Sequence, residues 1–304
     1  MNPVVSERLG EEMNSWAVHM RAIVTAWQQV GSQARGALAL DSPFSRDRLD
    51  FRASHPDAPQ NIEAASLYTG EYVSAIGQYV LAIAALFETN QAVLSVWPLI
   101  RAELEIAGRI AWLLAPGSSE SVVSSTLRIA RFQMEFLATL CRERFTASQM
   151  KNRGRERESK TIRDRLRADL MQVFPDAQTD WSEPGDERSW DVGGVKYVGL
   201  GHATKLFAES CMGDDRGLYD VLSDYSHPSL FRLRAQSSMV DTGQGFQALM
   251  YEVPPGMLEW QARIACTIFY KSAHLVAGYF GLDDRPLELW AASVPSEWFV
   301  AEGK

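Results

Sequence analysis

The stretch WPLIRAELEIAGRIAWLL, residues 97–114, decides the fold. Its apolar residues recur every three or four positions, which is the spacing of one face of an α-helix. Pro98 stands near the start, where a helix tolerates proline, and Pro116 and Gly117 follow the end. The stretch therefore predicts a long helix over about 90–114.

Segments on both sides carry the same periodicity. They predict further helices at about 5–35, 62–88, 120–148, 156–173, 201–211 and 215–226, and one from after Pro255 to about Phe280. The stretches 37–60 and 176–198 contain prolines but no period, so they are predicted to be loops.

Residues around 231–251 change in character. Apolar residues alternate with others on both sides of the run DTGQG, which is typical of a β-hairpin with a glycine-containing turn. The sequence therefore predicts a mainly α fold, a helical bundle with one small β-hairpin at about 231–251. Residues 1–304 are expected to form a single helical domain.

Composition indicates a folded protein inside the cell. Hydrophobic residues make up 46% of the chain and charged residues 22%, which excludes a disordered chain. Cys141, Cys211 and Cys266 are odd in number and widely dispersed, which predicts neither disulfides nor a metal site. The N-terminus contains Glu7 and Arg8 rather than the apolar core of a secretory signal, so a cytoplasmic location is expected.

No membrane partner is expected. The most apolar stretch, Tyr79–Phe87, is nine residues long. A helix that crosses a membrane needs about 20 apolar residues. The stretch therefore predicts a buried helix.

The net charge of −8 is unevenly placed. Residues 142–167 contain ten basic and four acidic residues, so this segment carries +6 and the rest of the chain −14. Basic runs bind polyanions through phosphate contacts. The candidate phosphate-binding residues are Arg153, Arg155, Arg157 and Lys160. The alternative is a solvated helix end in which Glu156 and Lys160 pair.

A first group of candidate site residues lies on the helix over 97–114. Arg101, Glu105 and Arg109 are spaced by four, which places them on one helical face among apolar residues. Buried charges are costly unless they are paired. The spacing predicts either a partly solvated ladder of ion pairs or the wall of a pocket.

A second group surrounds His227. Pro228 disfavours a helical conformation for His227, which should therefore end a short helix that carries Asp224 and Tyr225. A helix C-terminus and a nearby carboxylate favour the imidazolium form, so His227 is a candidate titrating group or phosphate contact. The alternative is a helix cap. We expect His227 to lie close to Arg101 and Glu105.

Cofactor and metal motifs are absent from the sequence. It contains no His-Glu-x-x-His motif, no Walker motif and no dinucleotide fingerprint. No metal site is therefore predicted, and no cofactor is identified.

Several motifs resemble known helical proteins. The pattern consists of Arg101 and Glu105, then WLLAP at 112–116, Arg128 and Arg131, and later Tyr219, Leu222-Ser223 and His227. It resembles a group of actinobacterial helical proteins and is more distantly similar to the HEPN superfamily of RNA-directed and defence-associated proteins, over about residues 65–235. This resemblance implies a helical bundle that binds or cleaves RNA, often as a homodimer.

The histidine motif of active HEPN nucleases is an arginine, four to six residues and then a histidine on a helix. Arg48 and His55 match this spacing, but they fall in the predicted loop 37–60. The sequence therefore does not predict a nuclease motif in a helical context.

The sequence leaves three functions open, and it does not decide whether the protein is an enzyme. The first is RNA binding or cleavage, with His227 and Arg232 near the site and the stretch 151–167 in contact with phosphates. The second is a small-molecule-binding protein or enzyme with a polar pocket between helices, lined by Arg101, Glu105, Asp224, Tyr225 and His227. The third is a non-catalytic interaction module. The candidate catalytic residues are His227, Arg101, Glu105 and Asp224, and the candidate binding residues are Tyr225, Arg232 and the four basic residues.

Overall fold

The computed structural model describes residues 7–33, 40–90, 95–114, 124–213, 217–227, 237–241, 247–251, 253–295 and 298. Over these residues the fold is mainly α, a helical bundle as predicted. The helices are α1 (Glu7–Gln33), α2 (Pro43–Ser54), α3 (Gln60–Ala64), α4 (Thr69–Glu88), α5 (Val96–Leu114), α6 (Ser125–Gln149), α7 (Arg153–Val173), α8 (Leu200–Cys211), α9 (Leu218–Ser226), α10 (Pro255–Phe280) and α11 (Arg285–Ser293). The 3-10 turns are Ala65–Tyr68 and Asp186–Ser189.

The predicted β-hairpin is confirmed. Its strands, β3 (Ser237–Asp241) and β4 (Gln247–Tyr251), pair antiparallel. Residues 231–236 and 242–246 of the predicted hairpin lie outside the described residues.

A second antiparallel pair, β1 (Asp191–Val192) and β2 (Val195–Lys196), lies within the stretch 176–198 that we predicted to be a loop. Gly193 and Gly194 form its turn with positive φ angles of 61° and 83°, a conformation that favours glycine. Strands of two residues are too short to show an alternating pattern in the sequence.

The predicted loop 37–60 is wrong where α2 forms. The side chain of Ser42 accepts a hydrogen bond from the backbone N–H of Ser45 at 3.2 Å, and Pro43 occupies the first turn. Serine before the helix and proline at its first position are favourable start signals. Phe44 and Phe51 then anchor the helix in the core. The prolines and serines that indicated a loop therefore mark a helix N-terminus.

Helix α5 runs through the centre of the bundle, where it packs against α4, α8, α9 and α10. The closest approach is at Gly108, where an added Cβ atom would lie 2.6 Å from the backbone nitrogen of Thr204 in α8. Glycine therefore allows the two helix backbones to touch. This contact fixes where α8 stands relative to α5.

The two ends of the described chain meet in the core. Helices α10 and α11 pack against α1, and the indole N–H of Trp290 donates to the backbone oxygen of His19 at 2.9 Å. Buried side chains from these helices belong to one continuous apolar cluster.

One helical run, Gln60–Glu88, is long and apolar enough to cross a membrane, judged by length and composition; among the described residues it is the single such run. This is weak support for a membrane span, because core helices of soluble proteins have the same composition. Val73, Ile76, Val80 and Ile83 on α4 are fully buried in the bundle. One face of α4 is therefore buried, although only 39% of the most apolar window is buried in all.

Glu103 is an acid in the core of the bundle. It is 0% exposed, and neither carboxylate oxygen has a hydrogen-bond partner. Burial raises the pKa of Glu103 well above its usual value, because the charged form would have to leave water. Glu103 is therefore neutral in the folded protein over a wide range of pH.

We expect Glu103→Gln to become increasingly stabilising, relative to the native protein, as the pH rises from 5 to 8. In the unfolded chain Glu103 loses its proton near pH ~4.3. The folded state keeps the proton, so above that pH the native protein loses up to about 1.4 kcal/mol of stability per pH unit until the raised pKa is reached. Glutamine does not ionise, and urea unfolding of both proteins at each pH measures the difference.

The matched control is Glu11→Gln, on the exposed side of α1. Its side chain is in water in both states, so its effect should not change with pH. A difference for Glu103→Gln that stays constant from pH 5 to 8 would show that the carboxyl group is not held neutral.

Candidate functional site

A cavity of about 420 Å³ lies between α4, α5, α6 and the segment that leads into α8. Helix α5 contributes one face, whose members are Ala102, Glu105, Ile106 and Arg109. The other lining residues are Tyr79, Glu135, Arg142, Glu187, Arg188, Tyr197, Gly199 and Leu200. Its volume falls within the range of small-molecule sites, about 300–1,000 Å³.

Glu135 on α6 is the buried centre of the cavity wall and is 5% exposed. The hydroxyls of Tyr197 and Tyr72 donate to its two carboxylate oxygens, at 3.0 and 3.2 Å. Arg142 donates to the same carboxylate at 3.4 Å, and Nε of Arg109 stands 3.7 Å from it. The charge of Glu135 is therefore compensated from four sides, which a buried carboxylate requires.

Burial, together with the charge of Glu135, raises the pKa values of Tyr72 and Tyr197. Both hydroxyls therefore keep their protons at physiological pH. They act as permanent hydrogen-bond donors to Glu135.

Arg142 joins Glu135 to a second carboxylate, Glu187, at 3.3 Å. The other oxygen of Glu187 accepts from the backbone N–H of Gly185 at 2.8 Å and from the indole of Trp181 at 3.2 Å. Burial alone would raise the pKa of Glu187, but the backbone and indole donors, with Arg142, lower it overall. Glu187 is therefore ionised and fully paired.

Arg109 connects α5 to the start of α8. It is 7% exposed, and Nη1 donates to the backbone oxygen of Val198 at 2.5 Å. Its guanidinium also lies 5.0 Å from the ring centroid of Tyr197. These contacts and the approach of α8 at Gly108 bring Gly199 and Leu200 to the cavity wall.

The first predicted group lies on one face of α5. Nε of Arg101 pairs with Glu105 at 2.9 Å, and its Nη2 donates to the hydroxyl of Tyr219 at 3.4 Å. Glu105 and Arg109 line the cavity, while Arg101 is not one of its lining residues. The ion-pair ladder and the pocket wall, which the sequence offered as alternatives, are two parts of one helix face.

His227 is not among the residues that line this cavity. His227 is exposed and follows the last residue of α9, where its backbone N–H donates to Ser223. The hydroxyl of Tyr219, near the start of α9, contacts Arg101, and the ring of Tyr225, near the end of α9, stacks on Trp97. Because Trp97 precedes Arg101 in α5, α9 runs antiparallel to α5. Eight residues past Tyr219, His227 lies about 12 Å further along the axis of α9, away from Glu105.

The other residues of the second group also stay outside the cavity. Asp224 and Tyr225 are half-buried on α9, and neither lines the cavity wall. Arg232 lies outside the described residues. The orientation of α9, which the local sequence pattern does not encode, separates this group from Glu105.

The basic segment 142–167 covers the end of α6 and most of α7, and α7 begins three residues earlier than predicted. Asn152 caps the helix by accepting from the backbone N–H of Arg155 at 3.2 Å. All four predicted phosphate-binding residues are exposed, and Arg155 pairs with Glu143. Arg153, Arg157 and Lys160 share one face of the helix and form no ion pair with any described residue.

Arg48 lies on α2, which replaces part of the predicted loop, whereas His55 lies just outside this helix. Arg48 pairs with Glu63 at 3.3 Å, and His55 directly follows the last residue of α2. The imidazole of His55 stacks on Phe51, with ring centroids 4.8 Å apart. The Arg–His pair therefore begins within α2 and ends one residue after this helix.

The part of the chain that the structure describes contains no group of three or more His, Cys, Asp or Glu side chains that could hold a metal ion. Comparison of the chain with protein-family models, with curated proteins and with solved structures finds no match.

Proposed function

We propose that this protein binds a small polar molecule in the cavity between α4, α5, α6 and the start of α8. The observation that carries the proposal is the network around Glu135, in which buried charges surround an open cavity of about 420 Å³. Buried ion pairs are often no more stabilising than well-packed apolar residues. Charges retained at a cavity wall are therefore more typical of a binding site than of a stability device.

The rest of the lining supports this function. Tyr79, Ile106 and Leu200 provide apolar surface beside the charged groups. Small-molecule sites commonly combine apolar walls with a few polar groups that fix the orientation of the ligand. The cavity has both.

The test fills the cavity without removing a charge. Ile106→Trp places a large ring in the cavity, and Leu289→Trp adds the same ring at a position that is 73% exposed. We expect at least one member of a panel of small carboxylates, phosphate esters, amines and sugars to raise the Tm of the native protein. A ligand at 100 times its Kd adds about 2.7 kcal/mol of stability.

The Tm shift should disappear in Ile106→Trp and remain in Leu289→Trp. If no member of the panel shifts the Tm of the native protein, the proposed function fails. A shift that survives in Ile106→Trp would place the ligand somewhere other than the cavity.

RNA binding on α7 is a second candidate function. It is supported by the exposed face of Arg153, Arg157 and Lys160, whose charges have no ion-pair partner within the described ranges. The resemblance to HEPN proteins also implies that the protein binds RNA. Such a face would contact phosphates without reading the base sequence.

We expect alanine at Arg153, Arg157 and Lys160 to weaken RNA binding equally for all sequences. Each lost phosphate contact lowers the slope of log K against log salt by about 0.7 on single strands, so three contacts lower it by about 2. Filter binding over a range of salt concentrations measures both changes. The control is the triple alanine variant of Arg8, Arg21 and Arg285, which carries the same change of net charge outside α7.

If the control variant loses as much affinity for RNA as the α7 variant, net charge and not the face on α7 governs binding. Absence of binding by the native protein at low salt would end this candidate function. Cleavage of bound RNA has its own test, because loss of a general acid or base lowers the rate about 10²- to 10⁴-fold with little effect on affinity. His227→Ala and His55→Ala test the two histidines separately.

A further inference from the structure

The charges of the cavity are compensated at every arginine except one. Arg101 pairs with Glu105, and Arg142 pairs with both Glu135 and Glu187. Arg109 is also paired with Glu135. Arg188 lines the cavity, is exposed, and forms no ion pair with the residues that the structure describes. Arg188 is therefore the charged lining residue whose charge no described ion pair compensates.

The carboxylates of the cavity leave little room for a cationic ligand. Glu135 and Glu187 each receive three or more donors, and Glu105 is held by Arg101. A cation would have to displace one of these paired arginines or tyrosines. An anion would only have to replace the water around Arg188.

The groups around Arg188 also favour an anionic ligand over a cationic one. Its side chain lies against Gly199, where an added Cβ atom would be 3.6 Å from Nε. The backbone oxygen of Val198, the residue before Gly199, already accepts from Arg109. Gly199 also precedes α8 without a side-chain cap, so the positive end of the helix faces the same side of the cavity. Among the residues that the structure describes, no uncompensated acidic side chain lines this part of the wall.

We infer that the ligand of the cavity is a small anion, a carboxylate or a phosphate, whose charged group binds to Arg188 beside Gly199 and Leu200. The inference rests on the proposed function, since it names the class of molecule that the cavity accepts. Arg188 supplies a two-pronged donor that matches the oxygens of either group. Arg109 holds the backbone segment against which the anion rests.

The test uses three probes of one shape and different charge, with a fourth to separate the two kinds of anion. Succinate, succinamide and 1,4-diaminobutane share a four-carbon chain and are anionic, neutral and cationic, and inorganic phosphate is the other anion. Calorimetric titration of the native protein at low ionic strength should detect succinate or phosphate. It should detect neither succinamide nor 1,4-diaminobutane.

Arg188→Ala should weaken anion binding about 10- to 100-fold, the loss typical of one charge-assisted hydrogen-bonding group. Arg188→Lys should recover part of the affinity, because it keeps the charge and loses the two-pronged geometry. Arg157→Ala changes the net charge equally but lies on the exposed face of α7, so its affinity should equal that of the native protein. Arg188 and Arg157 are both exposed, so Arg188→Ala, Arg188→Lys and Arg157→Ala should keep the Tm of the native protein.

Equal affinity for succinamide or 1,4-diaminobutane, or unchanged affinity in Arg188→Ala, would overturn the inference. If such a neutral or cationic probe loses its binding in Ile106→Trp, the proposed function stands while the anion assignment fails. If neither anion binds the native protein, the inference fails. If the wider metabolite panel also gives no Tm shift, the proposed function fails with it.

Discussion

Glu135→Ala is expected to lower the free energy of unfolding by about 3–5 kcal/mol, the cost of removing one member of a buried ion-pair network. The substitution leaves Arg109 and Arg142 without their shared carboxylate. It also leaves the hydroxyls of Tyr72 and Tyr197 without an acceptor at Glu135. Arg142 still pairs with Glu187 and Arg109 still donates to Val198, but each group loses one bond while its desolvation cost remains. Urea unfolding of the two proteins measures the loss.

The control for this loss is Glu88→Ala. Glu88 pairs with Arg21 at 2.6 Å on the surface, with side chains that are 38% and 46% exposed. An exposed pair of this kind contributes about 0.2–1 kcal/mol. Equal effects of the two substitutions would contradict the central role of Glu135.

Glu135→Gln separates charge from hydrogen bonding. The amide oxygen still accepts from one tyrosine, but the negative charge between the two arginines is lost. We expect a loss of stability between those of the alanine variant and the native protein. A loss as large as that of Glu135→Ala would mean that the charge, rather than the hydrogen bonds, makes the main contribution.

Gly108→Ala is expected to destabilise the protein by about 3 kcal/mol, at the upper end of the usual cost of overpacking a core. The added methyl group would stand 2.6 Å from one backbone atom of α8 and 2.8 Å from two others. Backbone atoms of a helix cannot turn aside as a flexible side chain can, so α5 and α8 must move apart. Since α8 begins at the cavity wall, ligand binding should weaken in the same variant. Thermal unfolding and calorimetry measure the two effects.

Gly278→Ala is the matched control. Gly278 also lies inside a helix, α10, and an alanine Cβ there would meet nothing within 4 Å. Alanine is favoured over glycine in a helix by about 1 kcal/mol, so this substitution should raise stability. A stabilising effect of Gly108→Ala as well would show that α8 does not rest on α5 at this point.

The sequence predicts helix α5 and its polar face because both depend on neighbours three and four residues away. Arg101, Glu105 and Arg109 therefore lie as their spacing indicates. Helix α2 was missed because the same serine and proline residues are typical of loops and of helix starts. The buried phenylalanines Phe44 and Phe51 were the signal that distinguished the two.

Most of the cavity could not be found in the sequence. Glu135, Glu187 and Tyr197 come from three separate segments, and no local spacing connects them. The position of His227 depends on the direction in which α9 crosses α5, which is set by the stacking of Tyr225 on Trp97 and by Tyr219. Packing between distant segments decides these positions, and a single sequence does not display it.

Because α10 and α11 pack against α1, the face of α1 that they cover is buried only late in the synthesis of the chain. The ribosome adds residues from the N-terminus at about 5–20 per second, so roughly 10–50 s pass between completion of α1 and completion of α10. During that time the surface of α1 that these two helices cover is open to water. The nascent protein therefore presents the apolar face of α1 to the chaperones around the ribosome until α10 and α11 have been made.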